Sequence, residues 1–213
     1  MNALEQLRAV DVRAVMTAYR DALRDHREAV NRLNVYPVPD GDTGTNMALT
    51  VESVVKALDG ADDMSEVCRA ICHGSLMGAR GNSGVILCQV LRGMAEAWRD
   101  AEGAGAGDVA RALRAATEAA YRAVMHPVEG TMLTVARAAA DDACRAAEAG
   151  GGLVEVLDAA RAAAADALAG TPEQLAVLKE AGVVDAGGAG LLLLLDALLH
   201  VAAERPLPVP PET

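Results

Sequence analysis

The chain has 213 residues, 52% of them hydrophobic, but aromatics make up only 2% and Phe is absent, so the apolar content is mainly Ala, Leu and Val. That composition suits closely packed helices better than a β-sandwich, and the length gives one large domain or two small ones with a substantial core. Thirty acids against 19 bases leave a net charge of −11, which argues against nucleic acid or an anionic membrane as the main partner. A magnesium nucleotide stays compatible, because the metal brings its own positive charge.

Nearly every segment carries helical period. Val12, Val15, Met16, Tyr19, Ala22 and Leu23 follow the three-four spacing of an amphipathic helix capped by Asp11. Pro37 and Pro39 stop helix and open an acidic loop, Asp40-Gly41-Asp42-Thr43-Gly44-Thr45-Asn46. Helices are predicted over about 46–58, ended by Gly60, and over about 65–76. The run Gly78-Ala79-Arg80-Gly81-Asn82-Ser83-Gly84 then leads into a helix over 83–101. Gly103 to Gly107 is a flexible connector, and Asp108 caps a helix to about 125. Pro127 breaks the chain before a helix over 131–149. A glycine triplet at 150–152 separates that helix from one over 153–169. Thr171-Pro172 opens a short helix to about 181, and a last helix runs from Asp185 to about Ala203. No strand alternation is long enough to build a sheet, so the fold class is all-α. Residues 1–204 form one unit, and the proline-rich tail 205–213 is extended, as a disordered segment or a linker.

The four cysteines, Cys68, Cys72, Cys88 and Cys144, contain no Cys-x-x-Cys pair and suit small buried residues in a reducing compartment. The N-terminus has charges every few positions, unlike a signal peptide, and the apolar run Leu191 to Leu195 is too short for a membrane span. A cytoplasmic location is expected. His26, His73, His126 and His200 are scattered and read as surface or packing residues.

Glycines and small polar residues gather at four junctions: 40–46, 78–84, 129–132 and 184–190. If the helices run up and down, several junctions share one end of the bundle, where helix N-termini and glycine loops make a workable polyphosphate site. Asp40 and Asp42, one residue apart on a curling loop, can aim at the same hard cation. Taken alone they equally suit a turn whose acids cap a helix, and 78–84 equally suits a plain helix-to-helix turn. A Walker A loop is excluded, because neither Lys56 nor Lys179 follows glycine. An EF-hand is excluded because Val51 stands where the closing Glu belongs, and a dinucleotide fold because no strand precedes Gly187-Gly188.

Four ordered blocks, Pro37–Met47, Gly74–Leu87, His126–Val135 and Ala181–Gly188, resemble the nucleotide-binding domain of bacterial fatty acid kinase. That domain is related to the nucleotide-binding subunit of dihydroxyacetone kinase. The resemblance implies a barrel of about eight antiparallel helices with ATP or ADP and two magnesium ions at one end. It implies that Asp40 and Asp42 are catalytic metal ligands, with Asn34 supplying a third oxygen. Thr43, Thr45 and Asn46 would hold phosphate oxygens or water, and Gly81, Asn82, Ser83 and Gly84 the phosphate chain. Thr131 and Met132 would flank the nucleoside, with Asp185 and Gly187 completing the rim. Arg80 is the candidate to steady the transferring group or the acceptor, against a structural salt bridge or capping contact as its plainer role. The implied reaction is phosphoryl transfer to a fatty carboxylate held on a separate, DegV-like fatty-acid-binding protein, giving an acyl phosphate. Further C-terminal domains of a longer kinase are compatible with this. The alternatives are a dihydroxyacetone-kinase-type phosphotransferase subunit and a non-catalytic nucleotide-binding regulatory module.

Overall fold

A computed structural model describes residues 3–211. Eight long helices account for most of it: α1 Ala9–Arg32, α2 Thr43–Ala57, α3 Met64–Gly78, α4 Gly81–Trp98, α5 Ala106–Ala123, α6 Met132–Glu148, α7 Leu153–Ala169 and, after two short helices, α10 Ala186–Ala203. The short pair, α8 Thr171–Gln174 and α9 Ala176–Ala181, fills the connection that was expected to be one helix. Among the described residues the only β pairing is an isolated antiparallel bridge between Leu7 and Ala104.

Each long helix packs on the next in sequence from α1 to α7; α7 packs on α10, and α10 returns to α1. The eight therefore close a ring of antiparallel neighbours. One buried polar contact at the closure joins Tyr19 of α1 to α10, its hydroxyl donating to the Gly190 carbonyl at 3.0 Å. Between α5 and α6, Thr117 Oγ1 donates to the Ala136 carbonyl at 3.0 Å. Small side chains let backbones approach: a Cβ on Gly44 would lie 2.3 Å from the Arg27 carbonyl oxygen, so α2 can sit against α1 only with glycine there. α10 is long and apolar enough to cross a membrane, with mean hydropathy 1.8, but 61% of it is buried among the other helices. A helix this apolar is buried by its neighbours, here α1, α2, α6 and α7.

Several boundaries differ from the predicted ones. α1 begins at Ala9, so Asp11 lies inside its first turn and accepts the Arg8 N–H at 2.8 Å instead of capping the helix. Asp108 does the same for α5, accepting the Gly105 N–H at 3.0 Å. α2 begins at Thr43 and not at Asn46, which puts Asp42 at its N-cap position. Residues 204–211 carry no helix or strand. The Arg205 guanidinium makes a two-pronged ion pair with Asp158 of α7, and Leu207 packs on the core.

Candidate functional site

The N-termini of α2, α4, α6 and α10 converge around a cleft of about 720 Å³. Its polar side comes from the acidic loop and from the α3–α4 turn: Asp40, Asp42, Thr43, Asn46, Gly81, Asn82 and Ser83 all line it. The Tyr36–Pro37 peptide in the approach to the acidic loop is cis. Asp40 and Asp42 are exposed, and neither carboxylate takes part in an ion pair or accepts a hydrogen bond among the described residues. Asp42 lies at the positive end of α2, which favours a negative side chain there and also draws anions to the same place.

The loop is held from beneath. Asn34 is buried, and its Oδ1 accepts from the N–H of Asp42 and of Thr43, both at 3.1 Å, and from Thr43 Oγ1 at 2.8 Å. Its amide nitrogen donates to the Val38 carbonyl at 3.0 Å. Asn34 lines the cleft, and the expectation that it offers an oxygen to a metal meets a competing role: three donors already occupy an oxygen with two lone pairs. Thr45 also turns away from the cleft. Its Oγ1 accepts from Asn31 Nδ2, and its N–H donates to Asn31 Oδ1, both at 3.1 Å, which stitches α2 to α1.

The glycine-rich turn divides in the same way. Gly81 sits at φ +59°, and a Cβ there would fall 2.4 Å from Asn46 Nδ2, so this position needs glycine to bring the α4 N-terminus beside α2. Gly84 is buried away from the cleft lining, where a Cβ would meet Thr50 Oγ1 at 2.6 Å, so glycine is needed there for packing. Arg80 is outside the lining too. Its guanidinium donates to the carbonyls of Ala79 at 3.0 Å and Met77 at 3.4 Å, closing the C-terminal end of α3. The structure thus gives Arg80 a capping role.

The third and fourth junctions meet at Asp185. This carboxylate is buried and accepts the Gly188 N–H at 2.8 Å, capping α10, while its own N–H donates to Thr171 Oγ1 at 3.1 Å. Burial pushes its carboxyl up to about 6, opposed by the backbone N–H groups of Gly188 and Met132. Thr131 caps α6, and Thr131, Met132, Asp185 and Gly187 line the cleft.

An apolar wall was not expected. Tyr36, Pro37, Val38, Val85, Ile86, Ala123, Val124, Met125, Val128 and Leu133 join the lining, as does His126, which had read as a surface or packing residue. Only the fold brings these together, because isolated Val, Ile or Met residues carry no local signal. Four of these, Val124, Met125, His126 and Val128, come from the eight-residue connection between α5 and α6. It is fastened on the far side by Glu129, which accepts from Arg137 at 2.7 Å on each oxygen, from Thr134 Oγ1 at 2.6 Å and from the Tyr121 hydroxyl at 3.2 Å. Partial burial alone would raise the Glu129 carboxyl. The bonds from Arg137, Thr134 and Tyr121 outweigh it and hold the group below its ordinary value.

The donor set suits magnesium. Two carboxylates free of protein partners face a cleft, and among the described residues no cluster of three His, Cys, Asp or Glu side chains occurs to form an all-protein cage. Magnesium commonly takes one or two carboxylates and completes its octahedron with water and phosphate oxygens.

An all-helical barrel with a glycine-lined polar cleft at one end is the class of protein this geometry defines. The model of the DAK2 domain matches residues 37–200, and the chain belongs to that family. Among curated relatives it is 47% identical over 179 residues to protein YloV of Bacillus subtilis, and 46% identical over 179 residues to an uncharacterized protein of Staphylococcus saprophyticus. In both cases the match takes in 83% of this chain and 32% of the relative, so the chain spans about a third of their length. The dihydroxyacetone kinase of C. freundii has the same fold. Its native structure superposes with a TM-score of 0.64 at 18% identity, covering 93% of this chain and 36% of that one. A structure of that kinase in complex with AMP-PNP and Mg2+ gives a TM-score of 0.61, covering 89% of this chain and 33% of that one.

Proposed function

We propose that the cleft binds a magnesium nucleoside triphosphate, ATP by preference, and transfers its terminal phosphoryl group to a carboxylate. The observation that carries this reading is the pair Asp40 and Asp42. Both carboxylates lack partners among the described residues and line a cleft at the positive end of α2, beside a second helix N-terminus at Gly81. A protein does not leave two acids so close together without a reason, and a divalent cation is the simplest partner for them. Membership of the DAK2 domain family supports the reading, as does the likeness in fold to a kinase crystallised with AMP-PNP and Mg2+.

In this scheme Asp40 and Asp42 would hold magnesium, two ions by the resemblance, and the metal would supply the positive charge on the phosphate oxygens for which a P-loop enzyme uses lysine. Asn34 holds the two acids in place through the loop backbone. Thr43, Asn46, Asn82 and Ser83 bind and orient the phosphate chain, helped by the backbone N–H groups at the start of α4. The apolar wall excludes water and covers the nucleoside. A fatty carboxylate is already anionic at neutral pH, so the site needs no strong general base. We assign the acyl chain to a separate DegV-like fatty-acid-binding protein, as the sequence blocks imply. A second reading, transfer to dihydroxyacetone or a similar small polyol, draws on the fold shared with dihydroxyacetone kinase.

Calorimetric titration with ATP, with and without magnesium, tests the site. The wild-type chain is expected to bind only with magnesium, and Asp40→Ala and Asp42→Ala to lose that binding. Binding that ignores both magnesium and the two acids would reduce the loop to a turn and end the kinase reading. Labelled phosphate appearing on carrier-bound fatty acid, and not on dihydroxyacetone, decides between the two acceptors.

A further inference from the structure

We propose that Glu129 is the positioning residue for the apolar wall of the cleft: from outside the site, it sets how the protein grips the nucleoside and leaves the grip on phosphate and metal alone. The inference rests on the reading of the cleft as a nucleotide site.

The part of the wall concerned is the connection of eight residues, 124–131, with Val124, Met125 and Val128 lining the cleft. Such a loop has no ladder of its own to hold its shape, and its apolar residues gain little by staying put; Met125 is 90% exposed. The loop's strongest attachments converge on a single side chain. Glu129 receives a two-pronged bond from Arg137 of α6, a hydroxyl from Thr134 of α6 and a hydroxyl from Tyr121 of α5. Thr134 Oγ1 also accepts the Gly130 N–H at 2.9 Å, and Thr131 Oγ1 donates to the Val128 carbonyl at 2.7 Å. The Arg137 guanidinium lies 5.7 Å from the centre of the Tyr121 ring, close enough for a cation–π contact. One carboxylate therefore joins the end of α5, the loop and the first turns of α6.

None of Glu129, Arg137 and Tyr121 lines the cleft. The acidic loop and the α3–α4 turn, which form the polar side, are instead fastened through Asn34 and Asn31. The two halves of the site thus have separate supports. A paired bond to planar guanidinium fixes direction as well as distance, which lysine cannot reproduce.

The test compares two ligands on the full chain: ATP and inorganic tripolyphosphate, each with magnesium. Glu129→Ala is expected to weaken ATP by about tenfold while tripolyphosphate stays within about twofold of wild type. Glu129→Gln, which keeps the length but loses the charge, should fall between. Equal losses for both ligands would make Glu129 a general stabiliser, and unchanged ATP affinity would leave it without a role at the site; either overturns the proposal. If Glu129→Ala does not fold, Arg137→Lys is expected to show the same split between ligands, and its absence there counts equally against the proposal. A wild-type chain that fails to bind magnesium ATP would instead overturn the nucleotide reading itself, so the two failures are distinct.

Discussion

At the scale of single residues, Asp185 shows how one carboxyl can serve structure at some cost in charge. It caps α10, receives the Gly188 N–H and sits beneath Thr171, but it is only 5% exposed, and burial raises its carboxyl to about 6. An unfolded aspartate titrates near 3.9. The folded state therefore holds the proton more tightly, so this group's contribution to stability grows as pH falls through about 6, and is complete below the unfolded value. Above about 6 that contribution is gone. Asn in its place keeps the capping oxygen and cannot titrate. Between pH 7.5 and 4.5, urea unfolding should show wild type gaining on Asp185→Asn by on the order of 2 kcal/mol. A difference that does not move with pH would mean that the carboxyl titrates normally in the fold. Asp40 and Asp42 lie at the other extreme: exposed, unpaired and available to a ligand.

At the scale of elements, the polar side of the cleft depends on how α2 begins. Its first turn is fixed by two asparagines that follow or end α1, Asn31 through Thr45 and Asn34 through Asp42 and Thr43. Gly44 lets the two helices touch at that point. Asn34→Ala removes four hydrogen bonds and leaves buried donors without partners. We expect a stability loss of about 2 kcal/mol and faster amide exchange at Asp42 and Thr43. Unaltered exchange at those two amides would show that the loop is held by something else. The sequence pointed to this loop, but it placed the helix start three residues late, and it read Asn34 and Thr45 as ligand contacts where the fold gives both hydrogen bonds within the protein. The two readings compete for one reason: side chains of Asn and Thr near a helix start serve backbone and ligand with the same atoms.

At the scale of the whole molecule, the barrel is a ring closed by α1 against α10, elements at opposite ends of the sequence. Tyr19 lies at that closure, fully buried, with burial pushing its phenol well above the ordinary value and its hydroxyl held by the Gly190 carbonyl. Tyr19→Phe keeps the ring volume and removes one bond. It should cost about 1 kcal/mol in chemical denaturation. No loss at all would indicate that packing of Leu23, Met47 and the α10 leucines closes the ring without help from the hydroxyl. Closing the ring also brings the four distant junctions together, because antiparallel helices of similar length return every second connection to the same end.

The class of fold, the helix count to within the α8–α9 division and the four junctions were legible in the sequence, because helical period, capping residues and glycines act over a few positions. So was the acidic pair, whose crowding of charge is local. The tertiary structure alone decided which residues within each junction face the cleft. It left Thr45, Gly84 and Arg80 outside the cleft lining and assembled the apolar wall from the approach to the acidic loop, α4, the end of α5, the α5–α6 connection and α6. Facing is a matter of how helices rotate and pack against neighbours far away in the chain, and no pattern of a few residues encodes it.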